Sequence, residues 1–131
     1  MAERIPTPGE GGLGILLLHE QRRLEIWEYY DYATNNFLEL TAILHALQAI
    51  KKKNIPTVVY SDSEYAICVV TGTKHARANK DLVDEIKYEI SQFTDIKFSK
   101  VLAHSGNVNN EFVDSLCHLA RDTKSGGKKR Y

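Results

Sequence analysis

Between residues 13 and 52 the hydrophobic period of this chain changes once, from that of a strand to that of a helix. Residues 13–19, LGILLLH, form a short apolar run of the kind a buried strand needs. Residues 23–32, RLEIWEYYDY, roughly alternate, with Leu24, Ile26 and Tyr30 facing inward and Glu25 and the other charges facing outward. The polar HEQR between these segments predicts a tight turn, and hence a β-hairpin. From residue 36 to residue 52 the spacing is helical. Leu40, Leu44 and Leu47 mark one stripe, flanked by Phe37, Ile43 and Ile50. Thr34 or Asn35 can cap the start of this helix, and Lys51, Lys52 and Lys53 complement the dipole at its end.

The remaining segments extend the same pattern. Pro56 restarts the chain as a strand, TVVYSD, ending at Asp62. Residues 63–71 read as a short helix stopped by Gly72, and TKHARANK reads as a polar loop. A second long helix covers 80–93, with Leu82, Val83, Ile86 and Ile90 on its apolar side. A strand follows at about 96–103, then the loop SGNVNN, then a helix over 110–121 with Val113, Leu116, Cys117 and Ala120 on one face. The expected order is β-β-α-β-α-α-β-α, an α/β chain with helices on both faces of a mixed sheet. Its 131 residues suffice for one layered domain, placed at residues 1–122, and the Gly/Lys-rich tail 123–131 reads as basic and disordered.

Seventeen basic and seventeen acidic residues cancel, so net charge gives no support to a nucleic-acid partner and any such claim must rest on local groups. Cys68 and Cys117 lack metal spacing and read as buried free thiols of a reducing compartment. The longest apolar run is far too short to span a bilayer, and MAERIPTPGEGG contains no apolar stretch of a signal peptide. The expectation is a cytoplasmic protein without a membrane partner.

Three carboxylates occupy unusual positions. Asp62 falls at the C-terminal end of a buried strand, the edge of an open α/β sheet where ligand sites form. Glu39 lies about one turn into the first helix inside an apolar run, and Asp114 lies early in the last helix. His104 ends the strand that precedes the SGNVNN loop. Each has an ordinary alternative: a surface helix acid for Glu39 and Asp114, a helix cap for Asp62, a loop residue for His104. If these element ends converge, the carboxylates repel one another unless divalent cations neutralise them. Hard oxygen ligands suit Mg²⁺ or Mn²⁺, and two such ions can activate a water and stabilise the leaving oxygen of a phosphodiester.

In order along the chain, PGEGGLGILL, TNNFLEL, VVYSDSEYAI and AHSGNVNNEFVDSL resemble the successive motifs of type 1 ribonuclease H. The resemblance covers about residues 6–121 and implies a ribonuclease H-like fold. It also implies an endonuclease that cleaves the RNA strand of RNA–DNA hybrids with two Mg²⁺ or Mn²⁺ ions. By position, Glu39, Asp62 and Asp114 resemble the family's metal-holding catalytic acids, and His104 its mobile catalytic histidine. Thr34, Asn35 and Asn36 match positions that contact nucleic-acid backbone and minor groove, and Glu64 stands where many members carry a glutamine beside the hybrid. The adjacent asparagines suit this on chemical grounds as well. An amide both donates to and accepts from a 2′-hydroxyl, the group that tells RNA from DNA.

Two departures accompany the resemblance. The family opens with a strand ending in an Asp-Gly-Ser-type motif, and counting back from GGLG places that first acid at about Met1, with Glu3 the nearest acid present. That strand is central in the family fold and is expected to be missing from this chain. It leaves three readings open: a longer native chain, a partner chain or homo-oligomer that supplies the strand, or a non-catalytic nucleic-acid-binding module. The basic, Trp-rich protrusion of many bacterial members is reduced here to GTKHARANK, with Lys74, His75, Arg77 and Lys80. A DNA-cutting relative sharing fold and metals is a further alternative, disfavoured by TNN ahead of the glutamate.

Overall fold

The computed structural model describes residues 8–102 and 106–131. Strands β1 (Gly9–His19) and β2 (Arg22–Ala33) pair antiparallel as the expected hairpin, turning through Glu20, whose φ is 56°. Helix α1 (Asn35–Ala49) follows directly, with Thr34 Oγ1 accepting from the Phe37 amide at 3.1 Å. Strand β3 (Thr57–Ser61), helices α2 (Glu64–Thr71) and α3 (Lys80–Ser91), strand β4 (Ile96–Lys100) and helix α4 (Val108–Thr123) complete the expected series. Gly72 ends α2 in the left-handed conformation at φ 86°. Lys53 contributes at the end of α1 through a direct bond, its Nζ donating to the Leu47 carbonyl at 3.0 Å.

Among the described residues the strands form two sheets. β1, β2 and a further strand form one sheet in the order β1-β2-β5, and β3 pairs parallel with β4 in a second. Helix α1 bridges the two. Its Leu38 and Ala42 pack with Leu13, Ile15, Leu24 and Ile26 of the hairpin. Its Leu40, Ile43, Leu44 and Leu47 pack with α2 and α3 and against Val59, Ile96 and Phe98 of the second sheet. The stripe of a single helix thus serves two cores, which is why α1 is apolar around more of its circumference than one sheet would require.

Helix α4 covers the opposite face of the hairpin, so helices lie on both faces as expected. The approach is at backbone distance: a Cβ built on Gly14 would lie 2.6 Å from the Val113 carbonyl oxygen and 2.8 Å from Leu116 Cβ. The same face accounts for a first correction. Glu25, expected to point to solvent, is buried at 5 % exposure. Alternation with one polar face describes a sheet open on one side, whereas α4 closes the second side here. The buried carboxylate is paired, accepting from Arg23 Nε at 2.7 Å, and the Arg23 guanidinium lies 4.5 Å from the centre of the Phe112 ring.

The tail supplies the second correction. Residues 123–131 were expected to be disordered, yet Gly127–Arg130 form β5, antiparallel to Leu24–Trp27 of β2. Composition speaks only for side chains, and here the backbone is recruited by the outer edge of β2. Gly127 lies against the Trp27 indole, and the Tyr131 amide donates to the Arg23 carbonyl at 2.8 Å. The exposed Lys128 and Lys129 suit an edge strand. A smaller correction concerns SGNVNN: α4 begins two residues earlier than expected, with Asn107 as its cap, its side chain accepting from the Asn110 amide at 2.9 Å. Cys117 is a buried free thiol as expected, while Cys68 is free and half-buried.

One polar cluster links α1 to β2. His45 Nδ1 lies 2.8 Å from both Glu28 carboxylate oxygens, and Tyr30 donates to Glu28 Oε1 at 2.9 Å. The Glu28 hydrogen bond, working against partial burial, raises the His45 pKa. Burial pushes the Glu28 carboxyl up, but the bonds from His45 and Tyr30 outweigh it and hold the group below its ordinary value. A raised histidine favours the fold at pH below its unfolded value and loses that contribution as pH rises through the folded one. A lowered carboxylate contributes above its unfolded value and fades as pH falls through the folded one. The pair therefore stabilises most between the ordinary glutamate and histidine ranges. Stability of the native chain measured by urea titration should decline from pH 6 to pH 8, and His45→Gln should flatten that slope.

Candidate active site

The sequence places Glu39 one turn inside α1, where the helix passes over the gap between the two sheets. Its carboxylate is 8 % exposed, and Ser61 Oγ, at the end of β3, donates to its Oε2 at 3.5 Å. Ser61 is itself buried and also accepts from the Ser63 amide at 3.1 Å. These two bonds tie the end of β3, the turn into α2 and α1 into one unit, with half-buried Asp62 at its centre. Ser63 caps α2, accepting from the Ala66 amide at 3.1 Å. Asp62 thus precedes the cap of α2, and the capping weighed as its alternative role belongs to Ser63.

A cavity of about 450 Å³ opens beside this unit and is lined by Glu39, Ser61, Asn107, Asn109 and Asn110 together with apolar side chains of β1, α1 and β3. Asn110 is buried at 9 % exposure, and its Oδ1 has no hydrogen-bond partner among the described residues. Such an orphaned acceptor is costly and marks a place where a donor or a solvent molecule is expected. One turn further along α4, Asp114 is partly exposed and pairs with His118 Nε2 at 3.4 Å. Glu39 and Asn110 therefore share one cavity, with Asp62 adjacent to it through Ser61 and Asp114 one helical turn beyond Asn110.

Among the described residues, no three His, Cys, Asp or Glu side chains stand close enough together to hold a metal ion. Of Glu39, Asp62 and Asp114, only Glu39 lines the cavity, and the three form no such group. The donor set nevertheless fits a hard divalent cation in kind: carboxylate oxygens, one of them deeply buried, with no thiolate nearby. His104 lies outside the described residues.

The expected substrate contacts are arranged as follows. Thr34 uses its hydroxyl to cap α1, Asn35 is half-buried, and Asn36 is exposed at the same helix start. A helix N-terminus with outward amides suits a phosphate backbone. Glu64, exposed in the first turn of α2, pairs with Lys100 at 3.6 Å. Thr34→Ala should cost about 1 kcal/mol of stability through loss of the cap, read by chemical denaturation. Sequence reasoning missed Ser61 and Asn110. The first is visible in YSDS only as a second hydroxyl beside the acid. The second was placed in a loop, and its burial follows from α4 starting two residues early.

The fold agrees with comparisons to known proteins. The RNase H family profile matches residues 4–122. Ribonuclease H of Trichodesmium erythraeum is 34% identical over 126 residues, covering 84% of this chain and 78% of the relative. Ribonuclease H of Chlorobaculum parvum is 34% identical over 128 residues, covering 87% and 86%. Among solved structures, LC11-RNase H1, isolated from compost, superposes with a TM-score of 0.73 at 22% identity, covering 94% of this chain and 92% of its own. RNase H1 of Halobacterium salinarum NRC-1 gives 0.63 at 18% identity, covering 90% and 99%. The chain belongs to the ribonuclease H family, and its fold is ribonuclease H-like. No helix among the described residues is long and apolar enough to cross a membrane.

Proposed function

We propose that this protein is a metal-dependent endonuclease that hydrolyses the RNA strand of RNA–DNA hybrids. The observation that carries this reading is the buried Glu39 carboxylate, hydrogen-bonded to Ser61 beside Asp62 at the rim of the sheet. A chain that needed Glu39 only for solubility would leave it in water, because burying a carboxylate is expensive without compensation. Curated relatives that match over most of their length carry the name ribonuclease H, which supports the same chemistry.

Glu39, Asp62 and Asp114 would hold Mg²⁺ or Mn²⁺, two ions in the reading implied by the family. When bound, such ions lower the pKa of a water and neutralise charge at the phosphodiester. Ser61 orients Glu39, and the turn from β3 into α2 fixes Asp62. Asn35 and Asn36, at the start of α1, would contact the minor groove, where an amide can both donate to and accept from a 2′-hydroxyl. His104 is assigned to product departure. The cytoplasmic location expected from the sequence belongs to this proposal too.

Strand selectivity tests the reading. A hybrid labelled on its RNA strand should be cut, while the same duplex labelled on its DNA strand, single-stranded RNA and duplex DNA should remain intact. Cutting of duplex DNA would favour the DNA-cutting relative, and binding of hybrid without cutting would favour the non-catalytic module.

A further inference from the structure

The Glu25 carboxylate is buried and takes no part in the candidate active site. Its place in the sheet shows what it faces. Gly14 points at α4, and it pairs across the hairpin with Trp27. Alternate side chains of a strand share a face, so Trp27, Glu25 and Arg23 all point to the α4 side. On the outer flank Lys129 of β5 stands opposite Glu25, and the Tyr131 amide donates to the Arg23 carbonyl at 2.8 Å. β2 and β5 thereby bring one carboxylate, two cations and a tyrosine ring to the face that α4 covers.

An ion pair buried for stability alone gains little, because apolar residues of similar volume in its place are often neutral or stabilising. What this pair adds is orientation. Glu25 Oε2 accepts from Arg23 Nε at 2.7 Å and so fixes the guanidinium plane. The guanidinium carbon lies 4.5 Å from the centre of the Phe112 ring and 6.0 Å from that of Tyr131. Lys129 Nζ lies 4.9 Å from the centre of the same Tyr131 ring. All three contacts fall within cation–π range. Arg23 therefore touches a ring of α4 and a ring that follows β5 at once.

Phe112 stands between Asn110 and Asp114 on α4. Beyond it the helix is seated on β1, with Val113 and Leu116 against Gly14 and Cys117 and Ala120 against Gly12. Before it comes the turn capped by Asn107, whose side chain accepts from the Asn110 amide at 2.9 Å. That cap is a bond within the segment, whereas the Arg23–Phe112 contact ties the segment to the sheet.

We propose that Arg23, Phe112 and Tyr131 are positioning residues, a clamp through which β2 and β5 hold the first two turns of α4 and so fix Asp114. The consequence for metal binding rests on the nuclease function proposed for Asp114, whereas the hold on α4 does not.

Amide exchange of the full chain, without metal or nucleic acid, reads the hold directly. Phe112→Leu removes one ring, Tyr131→Leu the other, and Arg23→Lys keeps the charge beside Glu25 but loses the planar group. Tyr131→Phe keeps the ring. Exchange in residues 110–114 should quicken about fivefold in Phe112→Leu and Arg23→Lys and about threefold in Tyr131→Leu, whose ring makes the longer contact. Residues 117–121 should exchange as in the native chain, and Tyr131→Phe should match it throughout. Mn²⁺ affinity, read from the free-ion signal in electron paramagnetic resonance, should weaken in the same order.

Unchanged exchange at 110–114 in Phe112→Leu would overturn the proposal. So would equal quickening along all of α4, which would make the contact one of general stability. Native behaviour of Arg23→Lys would assign the effect to charge and overturn the clamp as well. Quicker exchange with unchanged Mn²⁺ affinity would remove the positioning of Asp114. A native chain that binds no Mn²⁺ would count against the nuclease reading instead, and the exchange pattern would still decide the hold on α4.

Discussion

Glu39→Gln and Asp62→Asn should each lower hybrid cleavage on the order of 100-fold or more while leaving the melting temperature at or above that of the native chain. The two readouts separate because of where the groups sit. Glutamine keeps the size of Glu39 and can still accept from Ser61 Oγ, the bond that spans 3.5 Å in the native chain. Removing a charge from a site only 8 % exposed relieves a desolvation cost. Stability is therefore retained, whereas a neutral amide is a far poorer ligand for a divalent cation than a carboxylate. A surface acid of the ordinary kind would change neither readout. A purely structural acid would lower stability and activity together. The Asp114→Asn variant belongs in the same series, with circular dichroism to follow its helix because Asp114 also pairs with His118 at 3.4 Å.

Gly14→Val should be strongly destabilising, costing about 3 kcal/mol. That loss should lower the melting temperature by roughly 10 °C. A Cβ at Gly14 meets the Val113 carbonyl oxygen at 2.6 Å, and that oxygen belongs to the backbone of a helix that cannot yield locally. α4 must lift from β1, which also shifts Asn110 and Asp114. Cleavage should accordingly fall further than the folded fraction does. Gly72→Ala is the matched control. Nothing lies within 4 Å of its Cβ, and only the backbone preference at φ 86° is offended. Its cost should be about 1 kcal/mol, with activity per folded molecule unchanged.

What the sequence made legible follows from which interactions are local. The hairpin, α1 and its Thr34 cap, the stop at Gly72 and the position of Asp62 after a strand all depend on periods and caps within a few residues. The acids of the candidate site could be named because each sits at an element end or inside an apolar run. What escaped depends on contacts between distant segments. Glu25 was read as a solvent acid because nothing near it in the chain announces α4 on its far side. The tail was read as disordered because a ladder formed by residues 127–130 depends on the open edge of β2 and not on Gly/Lys composition. Asn110 escaped because its burial comes from α4 packing and from the cavity it lines. The resemblance proposes Glu39, Asp62 and Asp114 as metal-holding acids, and among the described residues they form no three-ligand group.

The arrangement of the described strands in two sheets connects these points. α1 holds the hairpin and the β3-β4 pair together through two separate clusters. Glu39 is carried by that same helix over the gap between them.

The most direct measurement is the rate of cleavage of a hybrid labelled on its RNA strand, followed as Mg²⁺ is added to chelator-treated protein. A rate that is absent in chelator, rises to saturation with Mg²⁺ and vanishes in Asp62→Asn is the predicted result. Cleavage that persists undiminished in chelator, or that Asp62→Asn leaves intact, would contradict the assignment of these carboxylates to divalent-metal chemistry.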